Sequence, residues 1–352
     1  MLIDRLRSAA VLITIAVVCL FVDARVSTQG TEGLTLIPLL LFFALGTTWD
    51  ITSLLIQSGR SVWRAGCMIA VTSMSLAPAI PNIVNAVSDA ANGALDPYPV
   101  DCPIGRLGWV VTMAVASLFA LLIREMWTYG LPATNDSQPS ADTSASILKE
   151  ADPIKDDGPS HGTDSSANLD ASPFSASIDR TMRAAFVSMY IGLPMSLLFA
   201  TRSLGSSVSP LWGLAALLAF IATTKSADAG AYFSGKLLGR NKLIPRLSPG
   251  KTWEGAVGGV IASTLVAMAC LHWLFPAMLP SGCAPSITWA FVLGPALSIS
   301  GMVGDLAESM FKRDCGAKDS GNWLPGLGGV WDVTDSLIAA ILPAFLCLSA
   351  AA

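Results

Sequence analysis

The sequence predicts an all-α fold, a polytopic integral membrane bundle of about nine transmembrane helices. Two features of the whole chain carry that expectation. Of the 352 residues, 53% are hydrophobic and only 13% charged, where a soluble domain holds about 25% charged residues. Mean hydropathy is accordingly positive, +0.59. The apolar residues are also gathered into runs close to the roughly 20 residues that cross about 30 Å of hydrocarbon.

In chain order the runs cover residues 9–23, 34–57, 66–86, 107–127, 181–200, 209–224, 255–276, 286–304 and 334–350. The first follows Arg5 and Arg7 as the core of a secretory leader would. Its end, "CLFVDARVS", lacks the small-residue pair of a cleavage site, so a retained anchor is expected. Together the first four runs make an N-terminal transmembrane region, 1–134. A Ser-, Asp-, Ala- and Pro-rich stretch follows, with nine acids against two lysines over 135–179. It reads as an acidic disordered cytoplasmic linker, 135–180. Without it the chain's 21 basic and 25 acidic residues become 19 and 16, so the low isoelectric point belongs to the linker. The last five runs form a C-terminal region, 181–352, in which the chemistry is expected.

Orientation follows from the basic loops. Arg5 and Arg7, Arg60 and Arg64, Arg124, then Arg240, Lys242, Arg246 and Lys251, and finally Lys312, Arg313 and Lys318 fall on one side when nine spans are threaded in order. By the positive-inside rule that side is the cytoplasm. The chain is expected in the cell (inner) membrane, with the polar loops below facing the cytoplasm. No pair of related halves marks a transporter. Seven cysteines stand singly, without the paired spacing of a zinc or redox site. Cys102 and Cys283 share the outer side, where two free thiols are expected over a disulfide.

Two polar stretches interrupt the apolar pattern on the inner side. In "GDLAESMFKR" a helical period places Asp305, Glu308, Ser309 and Lys312 on one face. In "DVTDS", Asp332, Asp335 and Ser336 open the last span; helix capping accounts for one of those aspartates but hardly for both. Hard oxygen ligands from neighbouring helix ends suit Mg²⁺, with Asp305 and Asp332 the expected pair. Between them "PGLGG" offers flexible backbone amides, Gly328 and Gly329 among them, that can approach phosphate oxygens or form a plain turn.

The second stretch, "KSADAGAYFSGKLLGRNKLIPRLSPGKTWEG", follows the sixth run. Ser248 and Pro249 read as a helix start that leaves Lys251, Trp253 and Glu254 in the first turn. Interfacial Lys and Trp are ordinary there, whereas Asp228, just beyond a span, is not. "GKT" at Gly250–Thr252 is no phosphate-binding loop, because Pro245 stands where that motif needs glycine. Asp50, in or near the end of the second run, is an intramembrane acid for which function is the default reading.

At these stretches the sequence closely resembles the phosphatidate cytidylyltransferases, the CDP-diacylglycerol synthases. Ser309, Lys312, Arg313, Lys318, Asp319, Pro325, Gly326, Gly328, Gly329, Asp332 and Asp335 match the family's S-x-x-K-R-x-x-x-x-K-D, P-G-H-G-G and D-R-x-D at the same spacing. "DAGAY" from Asp228 and "SPGKTWEG" from Ser248 resemble its D-T-G-A-Y and S-P-K-K-T-W-E-G. Several matches in one order over about residues 210–350 make the signal specific. Leu327 replaces the family histidine and Val333 an arginine, and His161 and His272 are the chain's only imidazoles.

The resemblance implies a CTP-dependent nucleotidyltransferase of phospholipid biosynthesis, turning CTP and phosphatidic acid into CDP-diacylglycerol and pyrophosphate. It implies Mg²⁺, alone or with a second cation, held by Asp305, Asp332 and Asp335. Lys312, Arg313, Lys318 and Lys251 would contact phosphates, and Ser309 and Glu308 would orient them. Asp228, Ser248, Glu254, Asp319, Gly328 and Gly329 would complete substrate binding. The bilayer supplies the lipid, a homodimer is expected, and no nucleic-acid partner is. The alternatives are a transporter, whose charges belong at the bilayer midplane rather than at one edge, a non-catalytic scaffold, or a related CTP-dependent transferase acting on another lipid.

Overall fold

The computed structural model describes residues 2–91, 96–99, 102, 104–129, 173–321, 323–326 and 328–352. The helices are α1 (Leu2–Val26), α2 (Ile37–Gln57), α3 (Arg64–Leu76), α4 (Ile80–Ala90), α5 (Gly105–Trp127), α6 (Pro173–Arg202), α7 (Trp212–Leu238), α8 (Trp253–Ala269), α9 (Ala290–Asp314) and α10 (Trp331–Ala351). A 3₁₀ turn, Ala77–Ala79, joins α3 to α4, and a π-helical turn, Cys270–Leu274, extends α8 into a last turn, Phe275–Met278.

Among the described residues eight of these helical runs are long and apolar enough to cross a membrane. The run at 209–224 becomes α7, which continues through Lys225, Asp228 and Lys236 and is not among the eight. The chain is a polytopic helical membrane protein. Its outward faces carry apolar side chains such as Val11, Ile15 and Val18 of α1 and Val257, Ile261 and Leu265 of α8. Lipid rather than water can solvate such faces, while each helix satisfies its own backbone. All seven cysteines are free. Helix α6 begins at Pro173, inside the stretch expected to be linker; the preceding residues 130–172, which include His161, lie outside the described residues.

Small residues set how closely the helices approach, since burial of apolar area does not by itself drive association inside lipid. A Cβ on Gly230 of α7 would lie 2.4 Å from Ala262 Cβ and 2.9 Å from the Gly258 carbonyl oxygen of α8. A Cβ on Gly294 of α9 would meet Thr264 Cα at 2.4 Å. Two of the buried cores position the site. One joins Trp212 and Phe220 of α7 to Leu293 and Leu297 of α9 and Ile341 of α10. The other draws on both sides of the 135–180 stretch, joining Ile51 and Val71 to Ile191, Met195, Trp331 and Ile338. Helix α10 belongs to both cores, its start through Trp331 and Ile338 and its later turns through Ala340, Ile341, Ala344 and Leu348.

One local expectation is corrected. Ser248–Thr252 is not the first turn of a helix but a strand, β2, paired antiparallel with β1 (Lys242–Ile244), Lys242 opposite Thr252 and Ile244 opposite Ser248. The physical reason is the cap: Thr252 Oγ1 accepts the Gly255 N–H at 3.1 Å, which starts α8 at Trp253. Pro249 sits on this two-stranded edge, where a missing donor costs little.

Candidate active site at the helix ends

The C-terminal parts of α2, α7 and α9 and the N-terminal ends of α8 and α10 meet at one edge of the bundle. Helical period puts Asp305, Glu308 and Lys312 on one stripe of α9, as the sequence predicts. What brings that stripe against α10 is Gly304, where a Cβ would lie 2.5 Å from the Asp335 carbonyl oxygen and 2.7 Å from Ala339 Cβ. With the backbones this close, carboxylate oxygens of Asp305, Glu308 and Asp335 lie within 4.8 Å of one another. Glu308 and Asp335 are only 2% and 6% exposed.

Three acids so close repel one another unless positive charge joins them. Part of it comes from the chain. Lys251 Nζ, reaching from β2, lies 2.8 Å from Asp305 Oδ2, and Lys312 Nζ lies 3.1 Å from Glu308 Oε1. The second contact is an ion pair without hydrogen-bond geometry, so this buried carboxylate oxygen keeps its acceptor capacity. An all-oxygen acidic set with a free buried acceptor fits a divalent cation: its oxygens lie within 4.8 Å of one another, and oxygens on opposite sides of one ion stand about 4–5 Å apart, twice the roughly 2.0–2.1 Å of Mg²⁺ or 2.3–2.6 Å of Ca²⁺.

Asp332 stands differently from its expected place as the partner of Asp305. Its Oδ1 accepts from Lys312 Nζ at 2.8 Å, and its Oδ2 accepts from Ser320 N–H at 3.1 Å, Ser320 Oγ at 2.7 Å and Gly329 N–H at 2.7 Å. The carboxylate is thus taken up in fastening the glycine-rich loop to the start of α10. That loop is a tight turn, closed by reciprocal backbone hydrogen bonds between Leu324 and Gly328 at 3.0 and 3.1 Å. Gly328 has φ +94°, and a Cβ there would lie 2.4 Å from Asp332 Oδ2, so glycine is required. Leu327 lies outside the described residues.

Asp50, whose partner the sequence left open, is buried on α2, and its Oδ2 accepts the Trp331 N–H at 3.1 Å. Beneath it Trp331 packs edge-on against Tyr190, with Phe311 alongside. On the other flank Ser336 Oγ donates to Asp228 Oδ2 at 3.2 Å. Lys225 Nζ donates to the Val333 carbonyl oxygen at 3.0 Å and to Ser336 Oγ at 2.9 Å.

Beside the acidic cluster opens a cleft of about 420 Å³ between α7, α8, β2 and α9, with Asp228, Lys236, Ser248, Lys251 and Asp305 on its walls. Its size falls within the range of small-molecule sites, about 300–1,000 Å³. Glu254 faces away from it, accepting from the Asn241 N–H at 3.2 Å and from Asn241 Nδ2 at 2.8 Å, which closes the hairpin. Arg313 is exposed in the last turn of α9, Lys318 and Asp319 are exposed beyond its end, and Ser309 is half-buried on it.

Sequence reasoning brought Asp305, Glu308, Lys312 and Asp335 to one place and missed Lys225. The signal was its position three residues before Asp228, one helical turn away on the same face.

The pattern of the cytidylyltransferase family matches residues 3–351. Among individual proteins, the chain is 43% identical over 132 residues to a phosphatidate cytidylyltransferase of Haemophilus influenzae, 38% of this chain and 45% of that one. It is 48% identical over 140 residues to that of Pseudomonas aeruginosa, 39% and 49% of the two chains. With that of Chlamydia muridarum it shares 40% over 165 residues, 46% and 52%. The chain spans about half the length of the curated relatives it matches. A match across nearly its whole length, together with the helix-end acids and lysines, makes the chain a member of the cytidylyltransferase family.

Proposed function

We propose that the chain transfers a cytidylyl group from CTP to phosphatidic acid, giving CDP-diacylglycerol and pyrophosphate, at the cytoplasmic edge of the inner membrane. One observation carries the reading: Asp305 belongs both to the three-carboxylate cluster and to the lysine-bearing cleft, so charge-neutralising groups and a nucleotide-sized space share one wall. The basic loops support the cytoplasmic orientation.

In this reaction a phosphate oxygen of the lipid attacks the α-phosphorus of CTP. The new P–O bond forms as the bond to the bridging oxygen breaks, and pyrophosphate departs with that electron pair. The attacking oxygen is already ionised, so no general base is required, and leucine in place of histidine at position 327 is no obstacle. Charge is the difficulty. Asp305, Glu308 and Asp335 would hold Mg²⁺, which when bound offsets the charge of the meeting phosphates.

The chain's own residues do the rest. Lys251 and Lys236 reach into the cleft and bind the triphosphate, and Ser248 beside them orients it. Lys312 is held between Glu308 and Asp332 at 3.1 and 2.8 Å, so its ammonium is positioned before substrate arrives. Asp332 fixes the Gly328–Gly329 turn, while Arg313 and Lys318 meet the departing pyrophosphate at the exposed mouth, with Asp319 next to Lys318 in the substrate-binding set. Asp228 orients Ser336 on α10, and Ser309 stands beside Glu308 on α9. A homodimer is part of the proposal, to be read from the particle mass in detergent.

The test supplies purified protein with labelled CTP, phosphatidic acid and Mg²⁺ and extracts the lipid phase. Label in that phase as CDP-diacylglycerol, lost on chelation, is expected. An unlabelled lipid phase, with a related active enzyme as control, would overturn the proposal.

A further inference from the structure

A second cavity, about 380 Å³, lies between α1, α2, α6, α7 and α10. Its walls are almost wholly apolar. Ala9, Ala16 and Leu20 of α1 run down one side and Leu337 of α10 faces them, with Lys225 and Arg202 the charged side chains on its lining. The two cations mark its ends. Lys225 lies beside Val333 and Ser336 at the start of α10, level with the acidic cluster. Arg202 closes the far end, buried in an ion pair with Asp23 at 2.6 Å.

The gap exists because α1 is fastened at its ends and not along its length. Near its start, Ser8 Oγ donates to the Pro325 carbonyl oxygen at 2.9 Å. Near its finish, Asp23 holds Arg202 and accepts from Thr35 Oγ1 at 2.6 Å. Only 6% of the membrane-spanning part of α1 is buried. From Ala9 to Leu20 the crevice follows the helix for about 17 Å at 1.5 Å per residue. That is about half of a 30 Å hydrocarbon core, the depth of one leaflet.

We propose that this crevice takes one acyl chain of the anionic phospholipid substrate, drawn sideways from the leaflet on the site's side, while Lys225 meets its phosphate. The inference rests on the reading of phosphatidic acid as substrate. An acyl chain gains little by leaving the bilayer for an apolar protein wall, so the crevice supplies position rather than affinity. Selectivity falls to Lys225, which stands 3.6 Å from Asp228 Oδ2 and whose positive charge favours an anionic headgroup over a zwitterionic one. A phosphate held there adjoins Asp228 and Ser336, on the flank of the site opposite Lys251. Lipid and nucleotide then arrive from two sides of the same acids.

The experiment places the wild-type protein in phosphatidylcholine vesicles with a trace of phosphatidic acid bearing a diazirine at the end of one acyl chain. A parallel sample carries the same chain on phosphatidylcholine. After irradiation the labelled peptides are mapped. The phosphatidic acid probe is expected to label the deep end, around Leu20, Leu36 and Phe199, about tenfold more than the phosphatidylcholine probe, a difference of about 1.4 kcal/mol.

Lys225→Gln should erase that preference. Ala16→Phe, which fills the crevice, should cut deep labelling by both probes and leave the KM for CTP unchanged. Equal labelling by the two probes in wild-type protein, or labels confined to the outward faces of α8 and α9, would overturn the inference. These arms do not need turnover. A wild-type protein that makes no CDP-diacylglycerol but keeps the labelling preference would sink the proposed reaction and leave the lipid crevice standing.

Discussion

Asp50 and Trp331 are 281 positions apart in the chain, yet Asp50 Oδ2 accepts the Trp331 backbone N–H at 3.1 Å. That bond lets α2, from the N-terminal region, cap the helix that carries Asp332 and Asp335. Asp50 is also wedged against the loop, its carboxylate oxygens 2.5 and 2.4 Å from where Cβ atoms on Gly321 and Gly329 would lie.

Asp50 is therefore a positioning residue. Asp50→Ala strands a buried N–H, a loss of about 1–3 kcal/mol, and should lower both the melting temperature in detergent and kcat, with the KM for CTP little changed. Asp50→Asn keeps an acceptor oxygen and should recover most of both. Equal impairment by the two changes would mean that the charge, not the cap, is what matters.

The two aspartates that open α10 should fail in different ways. Asp335 faces Asp305 and Glu308, whereas Asp332 is bound to Lys312, Ser320 and Gly329. Asp335→Asn is expected to cut turnover by about a hundredfold or more, about 2.7 kcal/mol of barrier, and to raise the Mg²⁺ concentration for half-maximal rate. Asp332→Asn should mainly lower thermal stability and leave that concentration unchanged. The reverse ranking in a metal titration would return the cation to the Asp305 and Asp332 pair.

The sequence made the α9 stripe legible, because Asp305, Glu308 and Lys312 obey the helical period, and their neighbours in the chain settle which face they share. That Asp335, expected only in support of an Asp305 and Asp332 pair, is the aspartate lying against that stripe was not legible. It depends on Gly304 letting two backbones touch, a property of packing rather than of local pattern. The hairpin was missed for a related reason. Ser-Pro is a common helix start, and only the Thr252 hydroxyl, bonded to Gly255 N–H, moves the start to Trp253. The partner of Asp50 is a tertiary contact that no window of sequence contains.

Gly304 itself is testable. An added Cβ would sit 2.5 Å from the Asp335 carbonyl oxygen, and backbone cannot yield as a side-chain tip can. Gly304→Ala should push α9 from α10 and separate the acids, at an overpacking penalty of about 1–3 kcal/mol. A lower melting temperature together with a higher Mg²⁺ requirement is expected. Loss of stability with an unchanged metal requirement would show that the acids do not depend on this contact.

Lys251 and Glu254 match the same sequence motif and lie three residues apart, but they face different ways. Lys251 Nζ is 2.8 Å from Asp305 Oδ2 and on the cleft wall, whereas Glu254 accepts from Asn241 across the hairpin. Lys251→Ala removes a cation from the nucleotide's path and frees Asp305, and the KM for CTP should rise about tenfold, about 1.4 kcal/mol. Glu254→Ala breaks contacts on an exposed hairpin, where such interactions are worth about 1 kcal/mol or less, and should leave that KM within about twofold. Steady-state kinetics against CTP at saturating lipid separates the two. A rise with Glu254→Ala as large as that with Lys251→Ala would bring the hairpin itself into nucleotide binding, with Glu254 acting through the position of β2.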